Sequence, residues 1–173
     1  MNDFMMTYRK IVMPEDENPA KRLFGGRLMQ WADEAAILFA ICQMRTKSVV
    51  TLKISEVLFK NSAQNGDILE FWTRNKKIGA TSLTVECIVT RKQIGGVMQA
   101  PEAPKSVSED AMGDPSGVIL SCEFVFVSIG ADGRPVRHGL TSPVSVNEND
   151  PVLLHKDSPM LQIKTGSQVR VLE

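Results

Sequence analysis

The stretch that most constrains this chain is residues 24–44, FGGRLMQWADEAAILFAICQM. It reads as one long helix opened by two glycines. Apolar residues run almost all round it: Leu28, Met29, Trp31, Ala32, Ala35, Ile37, Leu38, Phe39, Ile41, Cys42 and Met44. A helix that is apolar on every side must be covered on every side. At ~1.5 Å rise per residue it is roughly 30 Å long, enough to cross a small domain. Gln30, Asp33 and Glu34 interrupt it with one polar patch, and an ionised carboxylate is costly to bury without a partner. The patch therefore either reaches water or marks a polar site inside a dry wrapping.

Around the helix the chain reads as strands. A short one is expected at 8–13. The 48–60 stretch, SVVTLKISEVLFK, begins by alternating on Val50, Leu52 and Ile54, then shifts phase to Val57 and Phe59, which predicts a bulge near Ser55–Glu56. After the Asn65–Gly66 turn come 67–75, a second turn region at Lys76–Gly79, and 81–91. In that last strand Leu83, Val85, Cys87 and Val89 face inward while Thr84, Glu86 and Thr90 face outward. Residues 95–117 are rich in Gly, Pro, Ser and acid and read as a long mobile loop. A final strand is expected at 118–129. The domain so defined spans 1–139, with 140–173 as a C-terminal tail. A five-stranded antiparallel sheet covers only one stripe of the helix. The rest calls for a second copy of the chain, so the pattern predicts an α+β fold that dimerises.

At 173 residues one domain is natural. Lys+Arg and Asp+Glu are both 20, so no charge excess points to nucleic acid or an acidic membrane. The three cysteines, Cys42, Cys87 and Cys122, sit in apolar patterns that fit reduced core thiols. The spacing around His138 and His155 suggests no zinc site. No signal-peptide pattern opens the chain and no apolar run is long enough to span a membrane, so a cytoplasmic protein is expected.

Four features could carry chemistry. The first backbone N–H groups of a helix lack internal partners and sit at the positive end of its dipole, so Gly25–Gly26 could receive an anion or a developing oxyanion. The plainer reading is a tight corner. Asp33, on the polar patch, could be a general base or nucleophile; the plainer reading is a solvated edge or a pair with Arg27 or a partner's lysine. Thr81 and Ser82 could bind a ligand or simply satisfy local backbone. Lys76, Lys77, Arg91 and Lys92 at strand ends could form a phosphate-binding rim.

The segment MPEDENPAKRLFGGRLMQWADEA resembles the start of the hotdog-fold acyl-CoA thioester hydrolases. It carries a Met-Pro-x-Asp segment, Asn18, Phe24-Gly25-Gly26, and Asp33 seven positions after the second glycine. VVTLKISEVLFKNSAQNGDIL, GATSLTVECIV and the closing strand with Arg134–Pro135 are similar to the later stretches of that family. Lys21 stands where the family often has glycine, and Pro19 and Arg22 also depart from its commonest choices.

The resemblance implies a sheet wrapped around a long central helix, paired through the sheet into a homodimer, with a trimer of dimers as the larger assembly. It implies hydrolysis of acyl-CoA at the dimer interface. Asp33 of one subunit is the expected base or nucleophile, with Asn18 and the Gly26 amide from the other. Gly25, Phe24, Thr81 and Ser82 are the expected substrate contacts, and Lys76, Lys77 and Arg91 the phosphate rim. No separate cofactor is implied, coenzyme A being part of the substrate. Two other functions fit less well: a non-catalytic acyl-CoA sensor, which would not need Asp33, and a hydratase or dehydratase, which would need a histidine beside the carboxylate.

Overall fold

The structure, a computed structural model, describes residues 4–92, 94 and 117–144. Strand β1, Met5–Ile11, leads through a single 3-10 turn at Pro14–Asp16 to helix α1, Gly25–Met44. Next come β2, Val49–Ile54; β3, Leu58–Phe59; β4, Ile68–Ile78; β5, Ser82–Arg91; and β6, Val118–Ser128. The strands form one antiparallel sheet in the order β1-β4-β5-β6-β2, with the two-residue β3 pairing β6 beyond the end of β2. Among the described residues this leaves β1 and β2 as edge strands. By contact the chain divides into Met1–Pro143 and Val144–Glu173. The reading of 95–117 as a loop falls outside the described residues apart from Gly117, and so does nearly all of the expected tail.

The helix packs on the inner face of the sheet. Its buried stripe is Leu28, Trp31, Ala32, Ala35, Ala36, Phe39, Ala40 and Met44, and the facing strands contribute Phe71, Leu83, Val85, Cys87, Val89, Leu120, Phe124 and Phe126. Four alanines in that stripe leave room for helix and sheet to approach closely, and their burial needs no side-chain ordering. The helix is not covered all round within one chain, as its composition had led us to expect. Leu38 is 50% exposed and Cys42 lies on the surface, so Cys42 is not a core thiol, whereas Cys87 and Cys122 are.

Strand boundaries differ from the sequence reading where the backbone departs from a strict two-residue period. β1 begins at Met5 rather than residue 8 because a register shift between Met6 and Tyr8 breaks its alternation. β4 runs on to Ile78, through residues read as a turn, with a shift between Asn75 and Lys77. The expected phase change after β2 is present. Ile54 pairs Phe124 and Leu58 pairs Ser121, so four steps on one side answer three on the other. A second extra residue, not foreseen, lies between Thr51 and Lys53. That extra residue breaks the expected shared face of Val50, Leu52 and Ile54. Val50 lies opposite Val127 and Ile54 opposite Phe124, three steps apart on β6, so the two fall on opposite faces. All three are nonetheless exposed, at 40%, 68% and 40%.

Candidate active site

Asp33 sits half-buried in the third turn of α1. Thr51 of β2 donates its hydroxyl to Asp33 Oδ1 at 3.0 Å. The rest of the polar patch is arranged differently. Arg27 pairs with the buried Asp16 at 3.3 Å and donates to Gln30, which in turn donates to Glu34. This ladder runs along the exposed side of the helix and leaves Asp33 out of it. The pairing of Asp33 with Arg27 that the sequence allowed does not occur, and no cation pairs with Asp33 among the described residues. Glu34, exposed and bonded to Gln30, is an ordinary surface carboxylate. Asp33 is therefore a carboxylate steered by one neutral hydroxyl, next to the unpaired edge of β2 and to the extra residue after Thr51. Bulges of this kind re-aim neighbouring side chains.

Thr51 was not singled out in the sequence. The only signal was a hydroxyl amid the apolar run VVTLKI, and strand patterning cannot say which helical residue it meets.

The helix start is built for close approach. Phe24 is the N-cap residue and supplies no side-chain cap. The amides of Arg27 and Leu28 return to the Phe24 carbonyl, whereas those of Gly25 and Gly26 have no hydrogen-bond partner among the described residues. Neither glycine adopts a left-handed conformation; each is small because a ring lies on it. A β-carbon on Gly25 would come 3.3 Å from the Phe59 ring, and one on Gly26 2.6 Å from the Phe24 ring. Two free amides at the positive end of a 20-residue helix can hold an anionic oxygen. Gly26 and Asp33 lie on the same side of α1, two turns and about 10 Å apart along its axis.

Asn18 organises the loop before the helix. Its side-chain oxygen accepts the Ala20 and Arg22 amides at 2.9 and 3.2 Å, and its backbone pairs with Arg22 and Lys21. Lys21 takes up a left-handed conformation there, with φ of 58°, which accounts for the glycine common at this place in the family. The loop is tied to the helix start by the Phe24 amide on Asp16 and the Leu23 amide on Ala63. Asn18 and Asp33 do not meet within one chain.

The proposed basic rim does not form as one cluster. Arg91 lies opposite Leu69 and Lys77 opposite Thr84. Eight residues of extended strand separate these positions, about 26 Å. Arg91 is tied to Asp67 at 3.0 Å and to the Ser62 carbonyl, and Lys92 to Glu70 at 3.4 Å. At the other end Lys76 pairs with Glu123, while Lys77 is exposed with no ion-pair partner among the described residues. Thr81 and Ser82 stand at that same end. Their backbone carbonyls accept the Ser128 and Gly79 amides. His138 is also there, its Nε2 3.3 Å from the Ser82 carbonyl and its Nδ1 accepting the Leu140 amide at 3.0 Å. Both ring nitrogens of His138 are used structurally, and His155 lies outside the described residues. No group of three metal-ligating side chains occurs among the described residues, and no helix there is long and apolar enough to cross a membrane.

A long helix laid on an antiparallel sheet of this strand order is the architecture of the hotdog-fold thioesterases. The thioesterase superfamily model matches residues 20–98. An uncharacterised acyl-CoA thioester hydrolase of Zymomonas mobilis is 34% identical over 129 residues, 75% of this chain and 74% of that one. A hexameric thioesterase from Yersinia pestis superposes with a TM-score of 0.62 at 23% identity, covering 80% of this chain and 96% of the other. A hexameric hotdog-fold thioesterase of Campylobacter jejuni gives 0.57 at 25% identity, over 81% and 90%. The chain belongs to the acyl-CoA thioester hydrolase family, and with it to the thioester hydrolases.

Proposed function

We propose that this protein hydrolyses acyl-CoA to the free acid and coenzyme A at sites shared between two copies of the chain. The observation that carries the reading is the Asp33 carboxylate, half-buried, held by the Thr51 hydroxyl with no cation paired to it among the described residues, beside an edge strand with exposed apolar residues. A carboxylate so placed can take a proton from water as it attacks the thioester carbonyl. The oxyanion formed there is held by the free amides at Gly25 and Gly26 of the partner copy. When the tetrahedral intermediate collapses, the coenzyme A thiolate leaves and takes up a proton.

Pairing through β2 covers Val50, Leu52 and Ile54 and extends the sheet. It also brings the helix start of one copy towards Asp33 of the other, closing the gap that separates them within a chain. Asn18, whose oxygen is committed to its own loop, offers its amide nitrogen to the same site. Of the basic residues expected at the rim, Lys77, with no ion-pair partner among the described residues, is assigned to the coenzyme A phosphates, with Thr81 nearby; Arg91 serves the far end of the sheet. Assembly of such dimers into a trimer is consistent with the hexameric structural relatives. Water and the carboxylate suffice for the chemistry, so no cofactor enters the scheme.

Release of free thiol from acyl-CoA by the purified protein tests this. Asp33→Asn keeps shape and hydrogen bonding but removes basicity, and turnover should fall by roughly 10²-fold or more while coenzyme A still binds. Unchanged turnover in that variant would refute the assignment. A wild-type protein that binds acyl-CoA without cleaving it would favour the sensor.

A further inference from the structure

Asp16 closes the 3-10 turn before the helix, and only 7% of it is exposed. A carboxylate buried to that extent is costly unless hydrogen bonds and a counter-charge offset the loss of water. Its Oδ2 accepts the Met13 amide at 3.0 Å, and its Oδ1 lies 3.3 Å from Arg27 Nε. Its backbone carbonyl accepts the Phe24 amide at 2.9 Å. The turn that carries Asp16 is itself fixed to the sheet. The buried Val12 donates its amide to the Asp67 carbonyl and accepts the Gly66 amide, at 2.9 and 3.0 Å.

Phe24 and Arg27 flank the open amides of Gly25 and Gly26 in the chain. Asp16 therefore grips the helix on both sides of that pair, through its backbone on one side and its carboxylate on the other. An amide donates well only close to its N–H direction, so slack at either flank would turn the pair away from a developing oxyanion. Charge matters as well. A bare carboxylate beside the first turn would oppose the anion those amides receive, and the Arg27 guanidinium offsets it. We propose that Asp16 is a positioning residue for thioester hydrolysis: it holds the Gly25 and Gly26 amides in the direction of the oxyanion, with Arg27 keeping the helix start receptive to negative charge. The inference deepens the hydrolysis reading above and rests on it. Asp16 touches neither the attacking water nor the thioester in this scheme and acts through the backbone it anchors.

The test compares Asp16→Ala with wild type in kcat and KM for an acyl-CoA, and in affinity for two unreactive analogues of it. A thioether analogue has no carbonyl to hold, whereas a trifluoromethyl ketone analogue binds as a tetrahedral hydrate and reports on the amides. Losing one oxyanion donor costs roughly 10²–10³-fold in kcat, so a pair that is loosened rather than lost should cost about tenfold or more. KM should stay within about threefold. The ketone should lose affinity by about tenfold while the thioether stays within about threefold, because only the ketone resembles the transition state. A general disturbance of the site would weaken both alike. Should Asp16→Ala fail to fold, the more exposed Arg27 decides. Arg27→Met should lower the ketone-to-thioether affinity ratio by about fivefold or more, and Arg27→Lys, which keeps the cation, should restore it to within about twofold of wild type. A folded Asp16→Ala protein with wild-type kcat, or one that loses both analogues equally, would overturn the inference. So would an Arg27→Met protein whose ratio matches wild type. A wild-type protein inactive on every acyl-CoA would instead remove the hydrolysis reading on which this rests.

Discussion

Replacing Thr51 with valine isolates the one contact that steers Asp33. Valine matches threonine in shape and in preference for a strand, so β2 should keep its course. What disappears is a hydroxyl donating to Asp33 Oδ1 at 3.0 Å. A hydrogen bond to a charged group contributes about 1.5–3 kcal/mol, and half-burial of Asp33 lets water replace part of it. The lower end of that range is the right one, which corresponds to about a tenfold loss in kcat. Thr51 touches the carboxylate rather than the thioester in this scheme, so KM should change less than threefold. Thr51→Ser retains the donor and should recover most of the rate, which separates the hydroxyl from the packing of the methyl group. The assay is thiol release at saturating acyl-CoA, with melting curves as a control on folding. Wild-type kcat in Thr51→Val would refute the reasoning, as would a Thr51→Ser protein impaired as badly as Thr51→Val.

Other parts of the structure give further expected outcomes. Leu52→Lys places a charge on the exposed face of edge strand β2 and should weaken association by tenfold or more; light scattering should show single-chain mass at concentrations where the wild-type protein is at least dimeric. Lys21→Gly relieves a left-handed conformation at the cost of extra freedom in the unfolded chain, a net gain of about 0.5 kcal/mol that a small rise in melting temperature would register. The Cys87 thiol is pushed up by its hydrogen bond with Cys122 and by burial, so under native conditions a thiol reagent should titrate exposed Cys42 alone among the three. Because the folded state holds the Cys87 proton more tightly than the unfolded chain, that contribution to stability is complete below the ordinary thiol range and is lost as pH rises through and beyond it, which denaturant midpoints measured from neutral to alkaline pH would show.

The helix and the central strands were legible because their signals are local. Twenty apolar-rich residues that open on a double glycine and end at a basic exit read as a long helix, and the alternation of Leu83, Val85, Cys87 and Val89 fixes the inner face of β5. The side of the helix that meets the sheet was not legible, since Leu38 and Ile41 look as apolar as Phe39 and Ala40. The pattern held the need for a second cover without saying where. In β2 the alternation of Val50, Leu52 and Ile54 suggests a shared face, but the extra residue between Thr51 and Lys53 puts Val50 and Ile54 on opposite faces, and a two-residue period does not register a bulge. The candidate site divides in the same manner. Asp33 stood out because packing did not explain it. Thr51, the separation of Lys77 from Arg91 and the commitment of the Asn18 oxygen to its own loop depend on register and loop closure between residues far apart in the chain, which no single-segment pattern encodes.

The central claim is that one site needs two copies of the chain, with Asp33 from one and Asn18 from the other. Mixing Asp33→Asn with Asn18→Ala protein, each impaired alone, tests it directly. After subunit exchange at equal amounts, half the dimers are mixed and each holds one intact site, so thiol release should recover to about a quarter of the wild-type rate. No recovery, with exchange demonstrated independently by labelled subunits, would contradict the shared site.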